Sequence, residues 1–304
     1  MDKTDLNLSA FLVQFVLAII MLAVSFEVTI KDLKDLPRQW KQIALGYVMQ
    51  ITFLPMFMLL VLLVIKPNMH LVLAFLLLAA CPGGNLSQLF VVRSNGNIGI
   101  SMGLSFLSTL FSPLTVPGIF FLATHANSNW SAAYKDLQLS WSNIFNTLMV
   151  SLFIPLIIGI WLGTKNGLKW EKFRSGIQKC VPWLLAALLV AAVWNFRAAL
   201  SDINLSMILM VMGISLACFV TAYYFTRMLG QNYSTSITYA WEVSIQNSGL
   251  GMVLGLVYFA NVPEISLVCA LWGIWQMAMG ALGSTIIKKA IMRKEVACQL
   301  SSVG

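Results

Sequence analysis

One carboxylate of this chain lies where acidic residues are rare. Glu242 belongs to Trp-Glu-Val-Ser-Ile-Gln-Asn-Ser-Gly-Leu-Gly, residues 241 to 251, and it is the only acidic residue deep inside a long apolar stretch. A charged side chain near the centre of a bilayer costs roughly 2.5 kcal/mol or more, and such residues usually pair with ions, backbone carbonyls or one another. The position therefore indicates a functional site, and a bound cation is the simplest partner.

The composition indicates a membrane protein. Hydrophobic residues make up 59% of the chain and charged residues only 10%, and the mean hydropathy is +0.83. A spanning helix needs about 20 apolar residues, so we predict an all-α membrane protein with nine transmembrane helices. The predicted spans are approximately 8–29, 42–65, 70–91, 98–123, 139–163, 182–199, 204–226, 234–260 and 263–287.

The basic residues favour one orientation, because cytoplasmic loops carry an excess of Lys and Arg. With the amino terminus outside, only Lys3, Lys66, Lys135 and Arg197 of the 19 basic residues lie outside, and the other 15 lie inside. We therefore expect an integral protein of the plasma (inner) membrane with a cytoplasmic carboxyl terminus. The net charge of +8 then reflects topology and requires no nucleic-acid partner. The first apolar stretch is too long for a signal-peptide core and is expected to remain as a span.

The residues that would support an enzyme are few. The five cysteines include no Cys-x-x-Cys pair, and both histidines, His70 and His125, fall in predicted outer loops. The spans contain no paired acids and no nucleophile beside a base. We therefore expect no enzyme and no obligate protein partner.

Two predicted spans contain segments that should interrupt a helix. The third span carries Cys-Pro-Gly-Gly-Asn-Leu-Ser-Gln at 81–88, where proline removes a backbone donor and the two glycines permit angles that other residues avoid. The eighth carries Gln-Asn-Ser-Gly-Leu-Gly at 246–251, a polar run with glycines between apolar flanks. Both helices should break near the middle of the membrane.

The two breaks should face each other. Unwound backbone at membrane depth is tolerated only where it is buried in protein or lines a water-filled cavity. In many transporters such half-helices direct their amino termini at anionic substrates, while freed carbonyls hold the coupling cation. Each broken helix is the penultimate span of its half, which predicts an inverted repeat of spans 1–4 and 5–9 whose first half lacks one helix.

Three motifs together resemble the bile acid:sodium symporter family of sodium-coupled organic-anion transporters. They are Cys-Pro-Gly-Gly-Asn-Leu-Ser at 81–87, Ser-Thr-Leu-Phe-Ser-Pro-Leu at 108–114, and Glu-Val-x-x-Gln-Asn-Ser-Gly-Leu at 242–250. The resemblance implies a ten-helix fold whose shorter form lacks the first helix, which fits nine spans. It also implies a panel of approximately 8–29, 139–163 and 182–199 beside a core of approximately 42–123 and 204–287, with the broken helices crossing inside the core.

The resemblance implies two sodium sites that share one carboxylate. The first would consist of Ser87, Gln88, Ser101, Ser105 and Glu242, and the second of Gln50, Glu242, Gln246 and the backbone carbonyls of Val243 and Ile245. Oxygen ligands of these kinds suit a hard cation. Gln88 stands where the family usually has Asn, and Ser105 where Thr is usual, so the first site departs more from the family pattern.

The family's anion-binding site would map to the start of the second half-helix, at Asn85 and Leu86, together with Asn247 and Gln276. Backbone N–H groups at a helix amino terminus favour a carboxylate. Asn85 also suits a simple helix-capping role. Gln276 stands where some bacterial members have His. A substrate preference that depends on this His in those members therefore cannot be transferred to this chain.

These observations predict a sodium-coupled symporter that imports an organic anion, bile acid-like or a small carboxylate, by alternating access. One alternative is a proton-coupled organic-anion carrier in which Glu242 takes up the proton. A non-transporting membrane receptor or scaffold is a further alternative, but it would not need two broken helices. The expected ligands are two sodium ions and the anion, and the expected surroundings are the lipid bilayer.

Overall fold

The computed structural model of the chain describes residues 14–23, 25–26, 36–84, 86–131, 141–165, 167–195, 203–259 and 261–303. Their secondary structure is helical apart from turns, connecting segments and one isolated β-bridge. The helices in chain order are α1 (Gln14–Ala23), α2 (40–65), α3 (Met69–Ala80), α4 (Leu86–Arg93), α5 (Ile98–Thr124), α6 (141–163), α7 (Leu168–Asn195), α8 (Leu205–Met228), α9 (Tyr233–Ser244), α10 (Ser248–Tyr258) and α11 (Pro263–Val303).

The helices have the length and apolar composition of membrane spans. Five stretches within the described ranges can each cross a bilayer by these two measures, namely Pro37–Ile65, Ile98–Thr124, Ser142–Gly163, Leu205–Met228 and Pro263–Arg293. Shorter apolar helices are Gln14–Ala23, Met69–Ala80 and Ser248–Tyr258. The chain is therefore an all-helical integral membrane protein, while the count of nine spans and the inverted repeat stay predictions. Parts of the predicted spans (8–13, 24, 27–29, 85, 139–140, 196–199 and 260) lie outside the described residues.

Both predicted helix breaks are present. The third predicted span is divided into α3 and α4 by the segment that contains Pro82, Gly83 and Gly84. The eighth is divided into α9 and α10, with Ile245 in an extended conformation at the end of α9. In both cases the run of helix-breaking or polar residues marks the place where regular hydrogen bonding stops.

Asparagine begins many of these helices. At each such position the side-chain Oδ1 accepts a hydrogen bond from the amide three residues later, which satisfies one of the amides left unpaired in a first helical turn. The pairs are Asn68 with Leu71, Asn97 with Ile100, Asn204 with Met207, Asn232 with Thr235 and Asn247 with Leu250.

Two helices contain a π-helical turn that ends two residues before a proline. In α2 the turn is Met49–Phe53 and Pro55 follows it; in α6 it is Met149–Phe153 and Pro155 follows it. Proline has no N–H to continue the usual i to i−4 bonding, so the preceding turn widens. In α2 this wide turn carries Gln50.

The boundaries of two helices differ from the sequence prediction. α7 begins at Leu168, whereas the predicted span begins near residue 182, and α11 continues to Val303 beyond the predicted end near residue 287. The hydropathy of a span locates only its membrane-embedded part, and both extensions carry charged residues that the membrane interior excludes. Near the start of α7, the Arg174 guanidinium donates to the carbonyls of Leu162 and Gly163 at the end of α6 and to that of Lys165 just beyond it.

Small residues allow the helices to approach closely. A methyl group added at Gly46 of α2 would lie 2.6 Å from the Tyr239 ring in α9 and 2.7 Å from Leu104 in α5. One added at Gly159 of α6 would lie 2.5 Å from Cβ of Ser25, two residues after the end of α1. Small residues at helix contacts are typical of membrane proteins, in which close packing drives helix association.

We expect Gly46→Ala to destabilise the protein. The hydroxyl of Tyr239 donates to the Gln42 carbonyl at 2.6 Å, so the ring cannot easily move away from an added methyl group. Overpacking of this kind costs about 1–3 kcal/mol. Thermal unfolding of the purified variant should show a clear drop in melting temperature.

Gly176→Ala is the matched control, because a methyl group at this exposed position of α7 would meet nothing within 4 Å. It should be neutral or slightly stabilising, since alanine favours a helix by roughly 0.5–1 kcal/mol. Equal melting temperatures for the two variants would contradict the close contact of α2 with α9.

Candidate functional site

The two helix breaks cross and pair with each other. Gly83, between α3 and α4, forms an isolated antiparallel β-bridge with Gln246, between α9 and α10. This pairing satisfies backbone groups that the helices release at the breaks, in a region where both segments are buried. Its two hydrogen bonds, both 2.9 Å long, join Gly84 N to Ile245 O and Asn247 N to Pro82 O.

The glycines of the first break are needed for this close crossing. A methyl group at Gly84 would lie 2.9 Å from the backbone oxygen of Gln246 and 3.2 Å from its carbonyl carbon. A methyl group at Gly83 would lie 2.6 Å from Nε2 of Gln50 and 3.2 Å from Oε2 of Glu242. The two breaks and the turn of α2 that carries Gln50 therefore meet at one point.

Serine hydroxyls surround the Glu242 carboxylate. Glu242 is 1% exposed, and Ser87 of α4 donates to its Oε1 at 2.5 Å. From α5, Ser101 also donates to Oε1, and Ser105 donates to Oε2 at 3.4 Å. Ser101 and Ser105 share one face of α5 because they are four residues apart. Neutral hydroxyls stabilise the carboxylate without cancelling its charge.

Gln50 lies close to the carboxylate, and its side-chain amide is unpaired within the described residues. Its side chain is 3% exposed, and within the described residues neither Oε1 nor Nε2 has a hydrogen-bond partner. A buried polar group without a partner is costly and points to a water or ligand at that position. The π-helical turn of α2 places Gln50 there.

Gln246 supplies a second unpaired amide oxygen. Its Nε2 donates to the Val243 carbonyl at 2.8 Å, while its buried Oε1 has no partner within the described residues. The Ile245 carbonyl accepts from Gly84. Because a carbonyl oxygen has two lone pairs, the carbonyls of Val243 and Ile245 can each accept one further contact.

The residues expected to bind an anion lie around the ends of the broken helices. Asn247 caps α10 through Oδ1, which leaves its side-chain N–H groups outside the cap bond. Gln276 of α11 donates to Ser248 Oγ, at the start of α10, at 3.2 Å, and its buried Oε1 has no partner within the described part of the chain. Leu86 is the first residue of α4 and is exposed. Asn85 lies outside the described residues.

The structure brings most of the sequence-predicted ligands together, with one exception. Ser87, Ser101 and Ser105 contact Glu242 directly. Gln88 is half-buried, and within the described ranges it has no hydrogen bond to Glu242. The roles of all these residues as ligands stay predictions.

Sequence reasoning did not find the π-helical turn that positions Gln50, or the close approach of Gly83 to it. The signal for the turn was Pro55, four residues after Ile51, whose carbonyl loses its usual helical partner. The hydrogen bonds of Tyr258 in α10 with Asn143 and Thr147 in α6 had no sequence signal.

The chemistry of the site suits a hard monovalent cation. Its available groups are hydroxyl, carboxylate, amide and carbonyl oxygens, which hard cations prefer. Among the described residues, no cluster of three or more His, Cys, Asp or Glu side chains offers the ligands of a transition-metal site.

Comparisons with known proteins agree with this chemistry. The sequence profile described as "Sodium Bile acid symporter family" matches residues 14–204. An uncharacterized sodium-dependent transporter of Bacillus subtilis (strain 168) is 24% identical over 302 residues, which cover 95% of this chain and 86% of the relative.

Two eukaryotic relatives are also similar. A probable chloroplastic sodium/metabolite cotransporter of Arabidopsis thaliana is 25% identical over 90% of this chain and 66% of its own length. A sodium-dependent organic anion transporter of Homo sapiens is 26% identical over 76% of this chain and 60% of its own length. The chain thus spans about two thirds or less of the length of these two relatives.

We expect Gly84→Ala to destabilise the crossing. The added methyl group would press on the backbone of Gln246, which cannot rotate away as a side chain can. The free energy of unfolding should fall by about 1–3 kcal/mol, measured as a lower melting temperature in sodium-free detergent solution.

Gly249→Ala is the control, since a methyl group there would meet only Asn247 Oδ1, at 3.6 Å. Its melting temperature should stay close to that of the unmodified protein. An equally mild effect of Gly84→Ala would show that the crossing is looser than the distances indicate.

Proposed function

Because the chain belongs to the sodium bile acid symporter family, we propose that it imports an organic anion together with sodium. The family consists of transporters, so the protein is a sodium-dependent transporter and not an enzyme. The observation that carries the finer proposal is the buried Glu242 carboxylate, held by serine hydroxyls at the crossing of two broken helices.

The first sodium site uses Glu242, Ser87, Ser101 and Ser105, with Gln88 nearby as the fifth proposed ligand. A hydroxyl that donates its proton to the carboxylate keeps two lone pairs for a cation. The distances from the three serines to Glu242 support this site. Gln88 must change its side-chain conformation to join it, because no hydrogen bond within the described residues ties it to Glu242.

The second sodium site uses Gln50, Gln246, Glu242 and the carbonyls of Val243 and Ile245. The unpaired oxygens of Gln50 and Gln246 support it, because a bound cation satisfies both of these buried acceptors. Glu242 is shared between the sites. Two monovalent cations with one carboxylate leave a net positive charge, which attracts an anion held nearby.

The anionic substrate binds where the half-helices begin. Leu86 at the start of α4 and Asn247 at the start of α10 offer N–H groups and the positive ends of helix dipoles. Asn85, which precedes Leu86 in the chain, is a further proposed ligand from the family pattern. Gln276 adds a buried amide beside Ser248. Sodium binding at the crossing thereby assembles the substrate site, and this is the physical basis of coupling.

Transport proceeds by alternating access of a panel (α1, α6 and α7) against a core of the remaining helices. Contacts within the panel support this division, because Gly159 of α6 packs on Ser25 and the ring of Phe173 in α7 lies 6.3 Å from that of Phe26. In the core, both broken helices pack against α5 and α11.

The protein lies in the plasma membrane with its amino terminus outside, as the distribution of basic residues supports. Entry of net positive charge is then favoured by an inside-negative potential, by about 2.3 kcal/mol per charge per 100 mV. Relatives are named for organic anions and metabolites, which supports an anionic organic substrate here.

Uptake into proteoliposomes tests the proposal. A panel of labelled carboxylates and steroid conjugates is offered under a gradient of sodium or of choline at fixed pH. We expect at least one anion to accumulate only with sodium. Accumulation without sodium that follows an imposed pH gradient would instead identify a proton-coupled carrier, and no accumulation of any anion under either gradient would favour a receptor or scaffold.

We expect Gln50→Ala to reduce the cooperativity of sodium activation. With two ions bound around one carboxylate, the Hill coefficient for sodium exceeds one, and loss of the second site lowers it toward one. Gln42→Ala is the matched control, two turns earlier in α2. A Hill coefficient unchanged by Gln50→Ala would remove Gln50 from the sodium sites.

A further inference from the structure

An apolar groove runs along the seam between α2 and α8. Its volume is about 460 Å³, and its lining includes Met49, Thr52, Phe53 and Met56 of α2 with Phe225 and Leu229 of α8. The rings of Phe53 and Phe225 stack at 5.0 Å, so they form one wall of the groove and join the two helices.

Each helix carries an exposed basic residue close in the chain to a lining residue, Leu45 in α2 and Leu229 in α8, and we call this the basic end of the groove. Lys41 is exposed one turn before Leu45, a lining residue, and its ammonium lies 5.9 Å from the Trp40 ring. Arg227 lies between the lining residues Phe225 and Leu229; it donates through Nη1 to the Gln231 carbonyl, and a guanidinium has further N–H donors. Within the described residues neither Lys41 nor Arg227 forms an ion pair.

The groove is long enough to span the hydrocarbon region of one leaflet. Its lining in α2 extends from Leu45 to Leu60, which is about 22 Å along a helix. Half of a typical hydrocarbon core is about 15 Å thick. The basic end belongs to the membrane face with the excess of Lys and Arg, and Trp40, 59% exposed, lies there as interfacial tryptophans do.

We propose that this groove binds an anionic phospholipid of the inner leaflet. One acyl chain lies against the apolar lining, and the headgroup phosphate lies between Lys41 and Arg227. A second copy of this chain fits less well, because it would bring a second pair of basic residues to the same surface. A zwitterionic lipid could also fill the groove, but its headgroup has no net negative charge to balance Lys41 and Arg227.

A second groove at the other end of the same seam lacks this charge pattern. It has a volume of about 600 Å³ and is lined by Val61 and Ile65 of α2 with Leu209 and Gly213 of α8, among others. It provides a comparison of similar size and apolar character.

The lipid contacts the back of the sodium site. Met49, Thr52 and Phe53 line the groove and belong to the π-helical turn that carries Gln50 on its buried side. If Gln50 is a sodium ligand, as the proposed function holds, occupancy of the groove biases the position of that ligand. Lipid binding itself does not depend on this role.

The test compares nanodiscs of phosphatidylcholine alone with nanodiscs that contain phosphatidylglycerol. The measurements are the gain in melting temperature that phosphatidylglycerol causes and the number of phosphatidylglycerol molecules retained in native mass spectrometry. Lys41→Gln with Arg227→Gln should lose most of the gain and the retained lipid. Thr52→Trp or Met56→Trp, which fill the groove, should do the same.

The controls are matched in charge and in volume. Lys288→Gln with Lys289→Gln removes two exposed charges from α11, and Leu209→Trp fills the second groove; both should keep the gain and the retained lipid. An equal loss in the α11 variant would show a general surface-charge effect and overturn the proposal.

Two further results would also overturn it. Retained lipid in both tryptophan variants would show that the groove is not the site of the acyl chain. A dimer mass that disappears only in the tryptophan variants would show that a second copy covers the groove. The two lipid measurements use no sodium and no substrate. A negative result in them would therefore count against the lipid site and not against the proposed transport function.

Discussion

The structure depends on the pairing of two interrupted helices with each other. Inside a bilayer, an unpaired backbone N–H or C=O costs several kcal/mol, because no water is available to bind it. The antiparallel bridge between Gly83 and Gln246 places one break opposite the other, and the bonds beside it use the groups released by both. Once this crossing exists, four helix ends point toward one small region.

The crossing explains why a carboxylate can be kept at this depth. Glu242 lies one turn before the break in its helix, and its nearest described polar contacts are serine hydroxyls from two other helices. These neutral donors stabilise the carboxylate, but they carry no positive charge that would neutralise it. The unpaired oxygens of Gln50 and Gln246 add acceptors in the same region, and this set of oxygens is the basis of the proposed cation sites.

The sequence predicted the all-helical membrane fold, the two breaks and the family, because each has a local signal. Apolar stretches of about 20 residues indicate spans, and Pro82 with Gly83 and Gly84 indicates a break. The serines near Glu242 were found through motifs shared with the family. Their contacts with the carboxylate are visible only in the fold.

Other features could not be predicted because they arise from contacts between distant segments. The groove between α2 and α8 depends on how two helices far apart in sequence pack together. The start of α7 at Leu168 was missed because hydropathy does not detect a charged helical extension. The position of Gln50 depends on a π-helical turn. The cause of this turn, Pro55, is visible in the local sequence, but the approach of Gln50 to Glu242 depends on how distant segments pack.

The account is tested most directly by the effect of sodium on thermal stability. In the proposed mechanism sodium binds only the folded site, so it should raise the melting temperature of the unmodified protein in proportion to the logarithm of its concentration above the dissociation constant. At fixed pH and ionic strength, with choline in place of sodium as the reference, Glu242→Gln should keep the fold and lose this rise. A sodium response in Glu242→Gln equal to that of the unmodified protein would contradict the claim that this carboxylate holds the coupling ion.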